Sequence, residues 1–355
     1  MSAAPATPYL AVDGERLARN LARVHGAAAD LGVRLRPHTK THKSPVLARL
    51  QLEAGAQGIT VATVGEAEVF VGAGFDDVLV AYPLFVDAER GRRLRTLAER
   101  ARIVVGVDSV DGVRRVAAHA PDVAVHVEVD SGHHRTGVLP HEAATVAGAA
   151  AEAGLEIAGV FTFPGHSYAP GAGPSAAVAE AEALAAAADA LAAAGLPCPV
   201  RSGGSTPSLA TSLAQGPGAV GSALPDELRP GVYLLGDAQQ WELGHHEPDD
   251  IALTCVATVV SHAGGRLVLD SGGKVLGADR APHATGWGRL PAHPDARVVL
   301  LSEHHAVVDL GGGPLPAVGS RVEVAPNHVC AAINLVDTIW VDGAPLPVEA
   351  RGRNS

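Results

Sequence analysis

Arg36-Pro37-His38-Thr39-Lys40-Thr41-His42-Lys43 is the stretch on which the fold reading turns. It follows a short apolar run, Gly32-Val33-Arg34-Leu35, that reads as a strand. It precedes Ser44-Pro45, a helix start with serine as N-cap and proline in the first turn. A lysine therefore stands at the carboxyl end of a strand, among histidine, threonine and a second lysine. In general, cationic neighbours and partial burial favour the neutral amine that forms Schiff bases. A solvated basic loop is the plainer alternative.

Working outward, β-type runs alternate with helical ones. Strands are expected at 33–36, 59–62, 78–81, 103–107, 123–129, 157–161, 199–202 and 232–235. Helices are expected after Asp13 to about Asp30, over 143–153 before Gly154, and over 176–194 with Ser175 and Gly195 as caps. Eight such units imply a parallel sheet and an α/β fold, a (β/α)8 TIM-type barrel, with a doubly wound open sheet as the competitor. The barrel is preferred because chemistry-bearing residues follow many different strands. After about Leu243 the helical period disappears. Strands joined by Gly/Pro turns are expected at 253–260, 266–269, 297–301, 305–310, 321–324 and 338–341. The expected domains are a barrel over 13–243 and a β-rich domain over 244–355, which strand 1–12 joins.

A chain of 355 residues suits a barrel plus a smaller domain. Its net charge of −11 argues against a nucleic-acid binder, which needs a basic surface. No apolar stretch is long enough to span a bilayer. Met1-Ser2-Ala3-Ala4-Pro5-Ala6 shows no secretory leader, so a cytoplasmic protein is expected. Of three cysteines, Cys198 and Cys255 sit in apolar contexts and read as inert.

Four further segments add up, with Lys40, to a site for a phosphate-bearing aldehyde cofactor. Arg201-Ser202-Gly203-Gly204-Ser205-Thr206-Pro207 follows the seventh expected strand. Its glycines let amides approach an anion, Ser205 and Thr206 add hydroxyl donors, and a helix starts at Pro207. Arg229-Pro230-Gly231-Val232-Tyr233 leads into the eighth, so Gly231 and Tyr233 would complete the cradle. Asp130-Ser131-Gly132-His133-His134-Arg135 offers Arg135 to a phenolate oxygen, unless Arg135 pairs with Asp130. Gly165-His166-Ser167-Tyr168 offers His166 and Tyr168 to cofactor or substrate, or is simply a polar loop.

Together these motifs resemble the D-serine dehydratase and D-threonine aldolase family of pyridoxal-phosphate enzymes, which use the alanine-racemase-type barrel (fold type III). The resemblance runs from Thr7-Pro8-Tyr9 through DSGHHRTG, GHSY, SGGSTP and LRPGVY to the carboxyl end. It implies that Lys40 is the Schiff-base lysine and that Gly204, Ser205, Thr206, Gly231 and Tyr233 surround the phosphate. It implies that Arg135 meets the ring oxygen, and that the protein is a homodimer.

Near the end stands Pro326-Asn327-His328-Val329-Cys330. Read as a strand, it points His328 and Cys330 to one face. Imidazole with thiolate suits Zn2+, and two ligands leave an open site for substrate oxygen. The motif falls where the family carries its metal. The dehydratases have H-x-C there and the aldolases H-x-D, so β-elimination from a D-β-hydroxy amino acid is expected. Retro-aldol cleavage, racemisation and non-catalytic vitamin-B6 binding are the alternatives. Ser302-Glu303-His304-His305 departs from the family's S-E-E-H, with His305 a candidate partner of the metal site. Thr162-Phe163-Pro164 also departs from the family pattern. His133-His134 and His245-His246 read as exposed pairs.

Overall fold

The computed structural model describes residues 5–214 and 224–355; Met1 to Ala4, part of the stretch read for a leader, lie outside the described residues. The chain enters through strand β1 (Tyr9–Val12) and the helix Gly14–Asp30. Eight strands follow: β2 (Arg34–Leu35), β3 (Ile59–Val61), β4 (Asp77–Pro83), β5 (Arg102–Val107), β6 (Ala124–Glu128), β7 (Ile157–Phe161), β8 (Arg201–Gly203) and β9 (Glu227–Leu228). They pair in parallel in the order β2-β9-β8-β7-β6-β5-β4-β3. A bridge between His38 and Thr60 joins the two ends of this sheet, so it closes as a barrel.

Helices alternate with these strands because the sequence supplies caps where each must start. Thr63, Asp87 and Ser109 each accept the amide of the third residue on, opening the helices Val64–Gly72, Ala88–Ala98 and Val110–His119. Strands β6 and β7 are buried along their whole length, as parallel strands covered on both faces must be. Glycines 154 and 195, both with positive φ, follow the helices Ala143–Glu152 and Gly173–Ala193.

The expected eighth strand at 232–235 is corrected. Val232–Leu234 is a 3-10 turn, and the eighth barrel strand is the two-residue β9 just before it. A run of Val, Tyr and Leu has strand propensity, yet it is fully buried without entering the ladder.

The second sheet contains β1 with β10 (Leu253–Ser261), β11 (Leu267–Leu269), β12 (Gly288–Leu290), β13 (His293–Leu301), β14 (Ala306–Asp309), β15 (Arg321–Pro326), β16 (Thr338–Val341) and β17 (Ala344–Pro347). Its order is β11-β14-β13-β12-β15-β10-β1-β16-β17, and β11 also pairs with β10, closing six strands on themselves. Pairing is antiparallel except between β1 and β16. By contacts, the chain divides into a unit of Met1–Arg23, Thr41–Ser44 and Val232–Gly352 and a unit of Val24–Lys40, Pro45–Gly231 and Arg353–Ser355. No helix among the described residues is long and apolar enough to cross a membrane.

Inside the barrel unit, Arg36 is 9% exposed and spans two carboxylates. Its Nε donates to Glu227 at 2.8 Å, and its two terminal nitrogens donate to Asp77 at 2.9 Å each. Glu227 is only 3% exposed, and Arg36 holds its carboxyl below the ordinary range against the opposing effect of burial. Removing the guanidinium would leave that carboxylate buried and unpaired. Arg36→Ala is therefore expected to lower unfolding free energy in urea by about 3 to 5 kcal/mol; a loss below about 1 kcal/mol would contradict this role.

Candidate active site

Lys40 lies in the 3-10 turn Thr39–Thr41, just past the carboxyl end of β2. The turn is fixed from both sides: the His38 amide donates to the Pro230 carbonyl at 2.9 Å, and the Thr39 hydroxyl donates to the Thr60 carbonyl at 3.0 Å. Lys40 Nζ stands 5.7 Å from the centre of the Phe163 ring, and Arg135 Cζ stands 5.1 Å from the same centre. His133 meets Phe163 edge-on at 5.6 Å, and Tyr168 lies tilted at 6.2 Å. Three of the expected site residues, Lys40, Arg135 and Tyr168, thus gather around one aromatic ring. Phe163 stood out in the sequence only as a departure from the family pattern.

Arg135 is exposed, and Asp130 is taken by others. Its carboxylate accepts the amides of Gly132 and His134 and faces the His134 ring at 2.6 Å. Beside Arg135, Glu128 at the end of β6 is 2% exposed. Burial pushes its carboxyl up to about 7, with Thr136 and Arg135 opposing. His166 sits in the turn Gly165–Tyr168, its Nδ1 buried without a hydrogen-bond partner. Burial lowers its pKa, and Asp130 opposes that shift.

In the turn after β8, the two hydroxyls that the sequence singled out differ: Ser205 is taken up in capping, while Thr206 is not. Ser205 caps the helix Thr206–Ala214: its hydroxyl accepts the Ser208 amide at 3.1 Å, and the Ser208 hydroxyl accepts the Ser205 amide at 2.9 Å. The Ser167 and Ser205 hydroxyls are 2.8 Å apart, which ties the His166 turn to this one. Gly204 has φ +93°, and an added Cβ would lie 3.0 Å from the Arg229 nitrogen. Its amide donates to Glu180, so glycine contributes shape here while its donor is already committed. Glu180 is 1% exposed, and burial raises its carboxyl to about 7 against the pull of the Gly204 amide and Arg229. Arg229 is buried too and donates to the Ser202 hydroxyl and the Thr162 carbonyl. The Thr206 hydroxyl is buried and has no partner. An orphan hydroxyl at a helix amino terminus, behind a glycine turn, fits a phosphate. Gly231 follows Pro230, the residue that receives the His38 amide.

Tyr233 belongs to the other unit, in the 3-10 turn Val232–Leu234, and is 1% exposed. Its carbonyl lies 3.3 Å from Nε2 of His246, which is buried rather than exposed as expected. In that unit His328 and Cys330 do come together, but not as a strand. His328 is the extended N-cap of the helix Val329–Ile333, and Cys330 lies in its first turn. Burial lowers the His328 pKa, but interaction with the Cys330 sulfur and with Asp237 outweighs this and raises it well above the ordinary value. His328 Nδ1 is 3.2 Å from Asp237 Oδ2, and Cys330 Sγ is 3.5 Å from the Thr41 hydroxyl. Lys43, with φ +52°, donates to Asn334 at 2.8 Å just past the same helix. The His328 imidazole and the Cys330 sulfur form a nitrogen–sulfur pair of a kind suited to a borderline-soft divalent ion. No group of three or more His, Cys, Asp or Glu that could hold a metal occurs among the described residues. His305 is exposed in the turn before β14; the carboxylate that touches His328 is Asp237, 91 residues away in sequence.

The chain is similar to several known proteins. The family model described as "Alanine racemase, N-terminal domain" matches residues 12–239, and that described as "Putative serine dehydratase domain" matches residues 252–341. The D-threo-3-hydroxyaspartate dehydratase of Delftia sp. (strain HT23) is 34% identical over 92% of this chain and 91% of its own. A cysteine-to-alanine variant of D-threo-3-hydroxyaspartate dehydratase, solved in a metal-free form, superposes with a TM-score of 0.86 at 31% identity, over 97% of both chains. The D-threonine aldolase of Filomicrobium marinum superposes with a TM-score of 0.86 at 30% identity, over 98% of this chain and 96% of that one.

The raised carboxyl of Glu180 has a consequence for pH. The folded chain keeps a proton there that an unfolded chain releases near its ordinary value of 4.5. The associated stabilisation is complete below that value and is lost as pH rises through about 7. Glu180→Gln keeps an acceptor for Gly204 but cannot ionise. Relative to wild type, its urea stability should gain between pH 5 and 8, with a slope of at most about 1.4 kcal/mol per pH unit. Parallel stability profiles would contradict the buried, protonated carboxyl.

Proposed function

The chain belongs to the alanine-racemase-type family that joins this barrel to a serine dehydratase domain, and from that premise we propose that it is a pyridoxal-phosphate- and metal-dependent lyase of D-β-hydroxy amino acids. The preferred reaction is β-elimination, giving a keto acid and ammonia. The observation that carries this choice is the His328–Cys330 pair at the start of the helix Val329–Ile333, the H-x-C that the sequence resemblance links to the dehydratases and not to the aldolases.

Pyridoxal phosphate, when bound, supplies an electron sink for negative charge at the substrate α-carbon, and a divalent ion, proposed as Zn2+, polarises the β-oxygen. The chain's residues do the rest. Lys40 Nζ would hold the cofactor and, once released from it, would be the base for the α-proton. Arg135 would serve the cofactor's ring oxygen, and His166 and Tyr168 would line its ring. Gly204, Ser205, Thr206, Gly231 and Tyr233 shape the phosphate site, with the unpartnered Thr206 hydroxyl as a donor ready to engage. His328 and Cys330 hold the ion. We further infer a cytoplasmic homodimer acting on a small molecule, without nucleic-acid or membrane partners. Retro-aldol cleavage is the second reading, favoured by the likeness to a D-threonine aldolase structure.

Incubation with D-serine, D-threonine and 3-hydroxy-D-aspartate, with product identification, tests this. Keto acid and ammonia are expected. A metal chelator should lower turnover by about 100-fold or more, in line with the several kcal/mol a Lewis acid supplies. Glycine plus an aldehyde would instead establish the aldolase. Full turnover after verified metal removal would refute the role given to His328 and Cys330.

A further inference from the structure

Asp237 is a fully buried carboxylate that touches the His328 ring, and its two oxygens do different work. Oδ1 accepts the Gln240 amide at 2.9 Å and so caps the short helix Ala238–Glu242. Oδ2 accepts the Val329 amide at 3.2 Å and faces His328 Nδ1 at 3.2 Å. Asp237 is 0% exposed, so neither contact competes with water. The Val329 amide belongs to the residue after His328. One oxygen therefore fixes both the backbone beside the imidazole and the ring itself.

We propose that Asp237 is a positioning residue that keeps the His328 proton on Nδ1 and so presents the Nε2 lone pair, beside Cys330 Sγ, to a divalent metal. The inference rests on the metal role given to His328 and Cys330 above. A histidine whose outer nitrogen is not fixed can place its proton on either nitrogen, and it pays in orientation when it binds an ion. Asp237 removes that freedom through a contact that is present without the metal. Asn327, on the other side of His328, donates to the Asp279 and Gly286 carbonyls and is committed elsewhere.

Asp237→Asn separates this role from helix capping, because asparagine caps as well as aspartate. An amide that keeps its oxygen on Gln240 turns an N–H toward His328. That N–H would move the ring proton to Nε2, the atom the metal needs. The test is Zn2+ affinity of the cofactor-loaded protein, by competition with a chromophoric chelator, for wild type, Asp237→Asn and His328→Ala. Asp237→Asn should weaken Zn2+ binding by about 10- to 100-fold, with cofactor absorbance unchanged and some loss of thermal stability, because the amide nitrogen cannot accept the Val329 N–H. Wild-type affinity in Asp237→Asn, with binding lost in His328→Ala, would overturn the inference while leaving the metal reading intact. Wild-type affinity in His328→Ala would overturn both. Should Asp237→Asn unfold, 15N NMR of the Zn2+-loaded wild type decides. A protonated Nδ1 and metal-bound Nε2 on His328 support the proposal, and a metal-bound Nδ1 overturns it.

Discussion

The barrel closes at Thr60, and the placement of Lys40 depends on that closure. β2 and β3 are the ends of the eight-stranded sheet and contribute only two and three residues. The Gln57 amide donates to the Leu35 carbonyl at 2.8 Å, and Thr60 makes the other bonds across the seam. Its amide donates to the Pro37 carbonyl at 2.9 Å, its hydroxyl to the Arg36 carbonyl at 2.8 Å, and its own carbonyl accepts the Thr39 hydroxyl at 3.0 Å. Thr60 is fully buried, so these bonds form in a low dielectric where an unmade one is costly. A parallel sheet places its connecting turns at strand carboxyl ends. With the seam pinned, the turn carrying Lys40 has one position relative to the turns after β6, β7 and β8.

Around that seam, the buried guanidinium groups have partners. Arg36 bridges Asp77 and Glu227, while Arg229 is shared among the Ser202 hydroxyl, the Thr162 carbonyl and the face of Phe161. Glu128 and Glu180 are buried carboxyls, with burial raising each to about 7. Both stand under turns assigned to the cofactor, Glu180 directly on the Gly204 amide. A carboxyl that stays protonated can shape a phosphate turn without placing a full negative charge beneath it. The β-rich unit uses the opposite device: Asp237 is held by two backbone amides and faces an imidazole.

The sequence was legible where chemistry repeats locally. The helix Pro45–Glu53 begins where Ser44-Pro45 indicated, β1 joins the second sheet, and the parallel strands fall close to the apolar runs. It misled where a local pattern had a different tertiary use. Val232-Tyr233-Leu234 has the composition of a strand but is a buried turn, because the two-residue β9 already fills the eighth place. His328 and Cys330 were read with the two-residue period of a strand, yet they meet across a helix start. Asp237 was missed, because nothing local tells which distant side chain a carboxylate oxygen will meet. Glu180 lay in an Ala-rich helix, Gly173–Ala193, whose low complexity concealed one buried acid. Beta-rich residues 288–290 and 344–347 were missed because such short strands carry too little pattern to stand out.

The central claim is that Lys40 carries the cofactor, and the chain makes it unusually easy to check, because it has only three lysines, Lys40, Lys43 and Lys274. Borohydride converts a lysine–pyridoxal linkage into a stable secondary amine. After reduction of the cofactor-loaded protein and proteolysis, peptide mass mapping should find the pyridoxyl group on Lys40 alone. The same label on Lys43 or Lys274, or on no lysine in a folded, vitamin-supplemented sample, would contradict it.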